Sequence, residues 1–301
     1  MRGGERIVLG SWGLAGQFER AGTRIGYGAV PEAQALDVLD RAWALGIRHV
    51  DTASGYGGGA GLARIARWSR KTGRHFALTL KLGRPLNAEG RPERRLTRQD
   101  LADELASAES VIGPSASLLL KDPPLDAPEA LAVHLETLQA FAPGGQTGIS
   151  THQIAACHDL PLPGGGRIAQ IEFNGVNQGM AAPAARALKA KGWEVWAMQP
   201  LCYGFLSGRY TDQWAFPEGD FRAALPPSIR ALYLRGAQLF DAGRARPKGI
   251  SPSVDALAFC LSHPAIDKVV IGPKTVAQLN DIETALAHAE KQEGLAHDHA
   301  V

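Results

Sequence analysis

Short apolar runs alternate along the chain with longer stretches whose hydrophobic residues recur every three or four positions. Ile7-Val8-Leu9 opens the series and runs into the turn Gly10-Ser11-Trp12-Gly13. Pro31 then begins a segment in which Leu36, Leu39 and Trp43 share one helical face, and Gly46 ends it. A second run over 47–51 follows at once, then a helix over 62–70 and a third run over 76–81. Residues 20–27 and the charged, proline-punctuated 83–96 show no period and read as loops. Thr97 to Asp100 makes a cap-like start to a helix with Leu101, Leu105, Ala108 and Ile112 on one face, stopped by Gly113-Pro114. Later runs at 118–120, 147–150, 168–173, 193–198 and 268–271 precede helical segments at 131–142, 154–160, 181–191, 228–242 with 252–262, and 275–289. Residues 200–225 form the longest irregular stretch.

That is eight apolar runs, each followed by helical pattern and none separated by a linker, in 301 residues. The arrangement predicts one (β/α)8 barrel over 1–301, with 290–301, including His297 and His299, as a frayed tail. An open doubly wound sheet is the rival, but no GxGxxG follows the first strand. In a barrel the strand C-termini gather on one rim, which would bring together Asp51, Tyr56, Lys81, Lys121, Ser150, Gln170, Pro200 and Gly272.

Composition narrows the partners. A net charge of +2 gives no reason to expect nucleic acid or a charged membrane surface, and no apolar run approaches a membrane span. Cys157, Cys202 and Cys260 are widely spaced and odd in number, which fits reduced thiols and neither a disulfide frame nor a metal site. The chain reads as a soluble cytoplasmic protein.

The candidate chemistry starts at Val50-Asp51-Thr52-Ala53-Ser54-Gly55-Tyr56-Gly57, with Lys81 at the end of the next run. A carboxylate, a phenol and an ammonium on adjacent strand ends can form a proton-handling cluster, because a lysine beside a tyrosine favours the phenolate. Equally, Asp51 and Lys81 can be an ordinary ion pair with Asp51 capping the turn. The glycine runs at 57–59 and 164–166 lack the spacing of a phosphate loop and read as turns. Trp12, Trp43, Trp68 and His49 read as packing residues, with pocket lining the alternative for Trp12, while Tyr203, Trp214 and Phe216 are placed to line a pocket.

From about residue 7 to 282 the order of motifs resembles the aldo-keto reductases. Asp51-Thr52-Ala53 with Tyr56-Gly57 is similar to their second-strand motif, and Lys81 stands where their catalytic lysine stands. Leu96-Thr97 through Ile112-Gly113 resembles the third helix, Gly148-Ile149-Ser150 the fifth strand, and Gln170 to Asn174 the sixth. Pro200-Leu201, Gly204, Leu206 and Gly208 resemble the seventh-strand loop, and Ile271-Gly272 with Lys274-Thr275 and Gln278-Leu279 the eighth-strand cofactor motif. The resemblance implies an NADPH-dependent carbonyl reductase in which Tyr56 gives the proton, Lys81 activates it and Asp51 orients Lys81. It also implies that Gly13, Ser150, Gln170, Pro200, Leu201, Gly204, Gly272, Lys274, Thr275 and Gln278 hold the cofactor.

The sequence departs from the family at four points. The fourth strand ends in Lys121, where the family usually has a histidine that hydrogen-bonds the substrate oxygen. A second ammonium there favours the phenolate further, polarises a carbonyl directly, or repels Lys81 and depresses one lysine, as a Schiff-base enzyme requires. His152 offers a displaced imidazole. Thr151 replaces an asparagine, Ile282 replaces another beyond Gln278, and Met198 stands where an aromatic commonly stacks on the nicotinamide, with Trp196 or Tyr203 as substitutes. Three functions therefore compete: an altered reductase, a lysine-dependent lyase or aldolase, and an NADPH-binding protein with little turnover. Arg24, Arg84, Arg209 and Arg222 lie in loops that would shape the substrate pocket, and either bind an anionic substrate or solvate those loops.

Overall fold

The apolar runs become strands that close on themselves. The computed structural model describes residues 3–20 and 22–298. The elements in order are β1 (Ile7–Gly10), β2 (Phe18–Arg20), β3 (Thr23–Ile25), α1 (Glu32–Ala44), β4 (His49–Ala53), α2 (Ala60–Thr72), β5 (Ala77–Leu82), α3 (Arg98–Ile112), β6 (Ser117–Lys121) and α4 (Pro128–Phe141). They continue with β7 (Gln146–Thr151), α5 (Ile154–His158), β8 (Ile168–Glu172), α6 (Gln178–Ala190), β9 (Glu194–Met198), α7 (Pro227–Ala242), α8 (Pro252–Ser262), β10 (Lys268–Ile271) and α9 (Val276–Asp298). Eight strands form a closed barrel in the order β1-β10-β9-β8-β7-β6-β5-β4. All neighbours are parallel, and Leu9 pairs with Ile271 on one side and Val50 on the other, so the first strand closes the ring. This is the (β/α)8 barrel that the alternation predicts.

Strand alternation sorts the side chains into two compartments. One parity points outward, where Leu9, Val50, Leu80, Leu120, Ile149 and Ile171 are buried against the helices. The other fills the lumen with Val8, Leu119, Ile168, Trp196 and Val270. Each such side chain contributes about 1.5–3 kcal/mol through burial, so the lumen is a packed plug rather than a pore. At its floor the ring of His49 packs edge-on against Trp196 at 5.2 Å, and its Nε2 lies 2.7 Å from Thr79 Oγ1. Trp196 therefore belongs to the plug and does not reach the rim as a ring partner for a cofactor. Trp43 and Trp68 pack together outside the barrel, 5.6 Å apart, as packing residues should.

Local signals end the helices where the sequence suggested. Thr97 Oγ1 accepts the Asp100 N–H and caps α3, Ser251 caps α8 in the same way, and left-handed Gly73 ends α2. Two segments differ from expectation. Residues 20–27 are not all loop: β2 and β3 form a hairpin in which Phe18 pairs with Ile25. Strands of three residues are too short to display a period, so the alternation could not reveal them. At the other end α9 runs to Asp298, through His297 and well past residue 289, because no proline follows 289 and the single glycine, Gly294, weakens a helix without stopping it. His299 lies outside the described residues. Among the described residues no helix is long and apolar enough to cross a membrane.

Candidate active site

Asp51, Lys81, Ser150 and Gln170 all have the inward parity on β4, β5, β7 and β8, one layer above the apolar plug. There they form a closed hydrogen-bond network. The Lys81 ammonium donates to Asp51 Oδ2 at 2.5 Å and to Gln170 Oε1 at 3.2 Å. Gln170 Nε2 donates to Asp51 Oδ1 at 3.1 Å, and Ser150 Oγ donates to Gln170 Oε1 at 2.7 Å. Gln170 is fully buried, Asp51 and Lys81 nearly so. Burial alone would push the Lys81 ammonium toward neutrality, but the Asp51 carboxylate, with Tyr56 adding to it, more than offsets that and holds Lys81 well above the ordinary lysine range.

Tyr56 stands over this network. It opens a 3-10 turn, Tyr56–Gly59, and is half-buried rather than carried on an exposed loop. Gly57 has φ 61°, and a Cβ there would lie 2.6 Å from the Ala15 carbonyl oxygen, so glycine is required for the turn to pass beneath the β1 loop. Two ammoniums lie against the Tyr56 ring: Lys81 Nζ at 5.3 Å and Lys121 Nζ at 4.7 Å from its centroid. Lys121 is the last residue of β6, paired in register with Ser150.

Beyond Lys121 lies a second polar cluster. Asp122 accepts from Arg84 at 3.1 Å and faces His152 Nδ1 at 3.0 Å, while its own N–H donates to the Ser150 carbonyl at 2.7 Å. Burial pushes the Asp122 carboxyl up, but the hydrogen bond and charge of His152, together with Arg84, hold it at about 2. The other His152 nitrogen lies 3.1 Å from Gln199 Nε2, so the ring is occupied by Asp122 and Gln199. Asp122, Gln199, Cys202 and Tyr203 all have positive φ (44°, 56°, 46° and 54°), so this rim holds a group of strained non-glycine residues. Such strain is typical of functional rims.

A cavity of about 360 Å³ opens from the network across the barrel mouth. Trp12, Gly13, Pro200, Leu201, Tyr203, Gly204, Gly272, Lys274 and Gln278 line it, joined by Tyr56, Lys81, Gln170 and Met198 at the inner end. At Gly13 a Cβ would lie 2.8 Å from the Gly272 carbonyl oxygen, so glycine is needed where β1 and β10 leave the barrel together. At the outer end Lys274 Nζ donates to the Tyr27 carbonyl at 2.8 Å. Burial, then the neighbouring Arg222 and Arg209 charges, lower its pKa.

Not every candidate joins this cleft: Lys121 faces the Tyr56 ring but does not line the cavity, and Ser150 lies behind Gln170 outside the lining. Trp214 is 40% exposed, leans on Tyr210 at 5.4 Å and does not line the cavity. Thr275 lies outside the lining and accepts the Gln278 N–H, capping α9. Thr151 has the outward parity, and its hydroxyl accepts the Gln153 N–H at 3.1 Å, so it does not replace the missing asparagine at the rim. Arg222 is buried in an ion pair with Asp220 and stacks over Tyr27 at 4.9 Å. The sequence reading overlooked Tyr27, which lines the cavity, and Glu104, a buried acid that accepts from Ser54 and from the Gly83 N–H. Tyr27 sat in a segment without period, and Glu104 in the helical one carried no mark beyond a polar residue next to an apolar face.

The fit to a nicotinamide dinucleotide can be tested on the donor set. The inner end retains one Gln170 N–H, a donor suited to a carboxamide oxygen, and the Ser150 hydroxyl behind it fixes the Gln170 side chain. The outer end is cationic, through Lys274 and Arg209. The residues present fit the group. Residues 6–111 match the model of the aldo/keto reductase family. Over 92% of its length the chain is also similar in fold to a glycerol dehydrogenase from Gluconobacter oxydans (TM-score 0.69, 20% identity, 85% of that chain covered). It is likewise similar over 95% of its length to an aldo-keto reductase from Bacillus halodurans in its holo form (TM-score 0.68, 14% identity, 91% of that chain covered). No curated protein matches the chain. The family match covers the first part of the barrel, and these two structures share its fold.

Proposed function

We propose that the chain reduces a carbonyl of a small molecule with NADPH, using Tyr56 as proton donor. The observation that carries this reading is the position of Tyr56 over the Asp51–Lys81–Gln170 network at the inner end of a cleft. Bound NADPH supplies the hydride. Tyr56 delivers the proton to the carbonyl oxygen, and Lys81, held charged by Asp51, stabilises the phenolate left behind. Gln170, its side chain fixed by Ser150, orients the carboxamide with the N–H the network leaves free. The aromatic wall of Trp12, Tyr27 and Phe221, with ring centroids 4.9–5.3 Å apart, excludes water from the reacting atoms.

Lys274 and Arg209 favour NADPH over NADH, because two crowded cations gain from a 2′-phosphate between them. The Schiff-base alternative needs an unprotonated amine, and the Asp51 pairing works against that at Lys81. It rests on Lys121 alone.

The decisive experiment pairs NADPH binding, followed by nicotinamide fluorescence, with NADPH oxidation over a panel of aldehydes, ketones and oxo acids. Tyr56→Phe should bind NADPH as the parent does and lose about 10²–10⁴-fold in kcat. Undiminished turnover in that variant would remove the proposed role. Borohydride trapping of a substrate on Lys121 would favour the lyase reading instead.

A further inference from the structure

The wall facing Tyr56 from β6 carries more positive charge than it has partners. Lys121 holds its ammonium 4.7 Å from the Tyr56 ring centroid and, among the described residues, makes no hydrogen bond or ion pair. Beside it Arg84 gives one nitrogen to Asp122, while its Nε is buried with no partner. Arg94 adds a third cation, 3.2 Å from the Asp122 carbonyl oxygen. Of the acids nearby, Asp122 serves Arg84 and His152, while Glu104 accepts from Ser54 and the Gly83 N–H and acts on Lys121 through its charge without forming an ion pair.

We propose that Lys121 recognises a carboxylate attached directly to the carbonyl carbon of the substrate, so that the preferred substrates are 2-oxo acids. This rests on the carbonyl-reductase reading and names its substrate class. The reach of the side chain sets the adjacency. An ammonium over the phenol ring lies within a side chain's length of the phenolic oxygen, where the substrate carbonyl oxygen must be. An anion bonded to the next carbon meets it there, whereas one several bonds away would pass it. A cation with no hydrogen-bonded acceptor of its own gains from such an anion through a charge-assisted hydrogen bond, and the neighbouring guanidiniums strengthen the field without blocking the position. The reaction converts a 2-oxo acid, NADPH and a proton into a 2-hydroxy acid and NADP+, and the carboxylate itself does not react.

Oxamate and oxamide test this without turnover, since they are close in shape and differ in one negative charge. On the NADPH-saturated chain, calorimetry should give oxamate an affinity at least about tenfold above that of oxamide. Lys121→Met should abolish that preference while holding oxamide within about twofold, and Lys121→Arg should keep it. Equal binding of the two probes by the parent chain overturns the inference, and so does a preference that survives in Lys121→Met. The two readings fail separately. Oxamate preference without hydride transfer to any carbonyl would retain the anion site and remove the reductase. Reduction of neutral aldehydes without oxamate preference would do the reverse.

Discussion

Two lysines flank Tyr56, and their surroundings are opposite. Lys81 lies in a buried, mutually satisfied network in which Asp51 neutralises it and Gln170 fixes its direction. Lys121 lies on the half-buried rim over the Tyr56 ring, with the Glu104 charge in range but, among the described residues, no hydrogen bond or ion pair. The first arrangement serves a constant task, holding one proton donor in one state whatever the substrate. The second leaves a charge available, and so can serve recognition. Residue type is the same at both positions; the partner decides the role.

The strongest way to break this comparison is to unpair the inner lysine. Lys81→Met leaves the Asp51 carboxylate buried and uncompensated, and should cost about 3–5 kcal/mol in chemical denaturation as well as most of the activity. Asp51→Asn with Lys81→Met should recover much of that stability and none of the activity. If the single variant proves as stable as the parent, the inner pair is not the tightly coupled unit described.

Exchanging the outer lysine should be milder. Lys121→His restores a neutral donor and should raise kcat/KM on simple aldehydes by about tenfold while lowering it on 2-oxo acids. A well-folded variant that binds NADPH and gains nothing on aldehydes would show that Lys121 does not hinder ordinary carbonyl reduction.

At the far end of the cleft, Lys274→Met should weaken NADPH severalfold and leave NADH nearly unchanged, as titration of each cofactor would show. Equal losses for both would place Lys274 against some part other than the 2′-phosphate.

The smallest effect concerns pH. The folded Asp122 value of about 2 lies below its ordinary 3.8, so its charged form adds stability above pH 3.8, and this is lost as pH falls toward 2. Asp122→Asn should therefore give a shallower acid-side decline in thermal midpoint. An unchanged slope would show that the outer cluster is not coupled as its geometry indicates.

Most of the architecture was legible in the order of residues, because period-two and period-3.6 burial are local properties. The eight strands, most of the helix stops and the inward set of Asp51, Lys81, Lys121, Ser150 and Gln170 follow from alternation along each strand. The short hairpin of β2 and β3 did not, since three residues cannot display a period. Nor did the standing of Trp196 and Trp214: one plugs the lumen and the other leans outward on Tyr210, and both look alike as tryptophans near strand ends. The sequence by itself determined the barrel, the rim and the residue types that reach it. Only the tertiary structure decided which charges are paired there. Pairing depends on distances between strands far apart in the chain, such as the 3.1 Å between Gln170 and Asp51 or the 4.7 Å between Lys121 and the Tyr56 ring. Those distances are set by barrel closure, which no local pattern encodes.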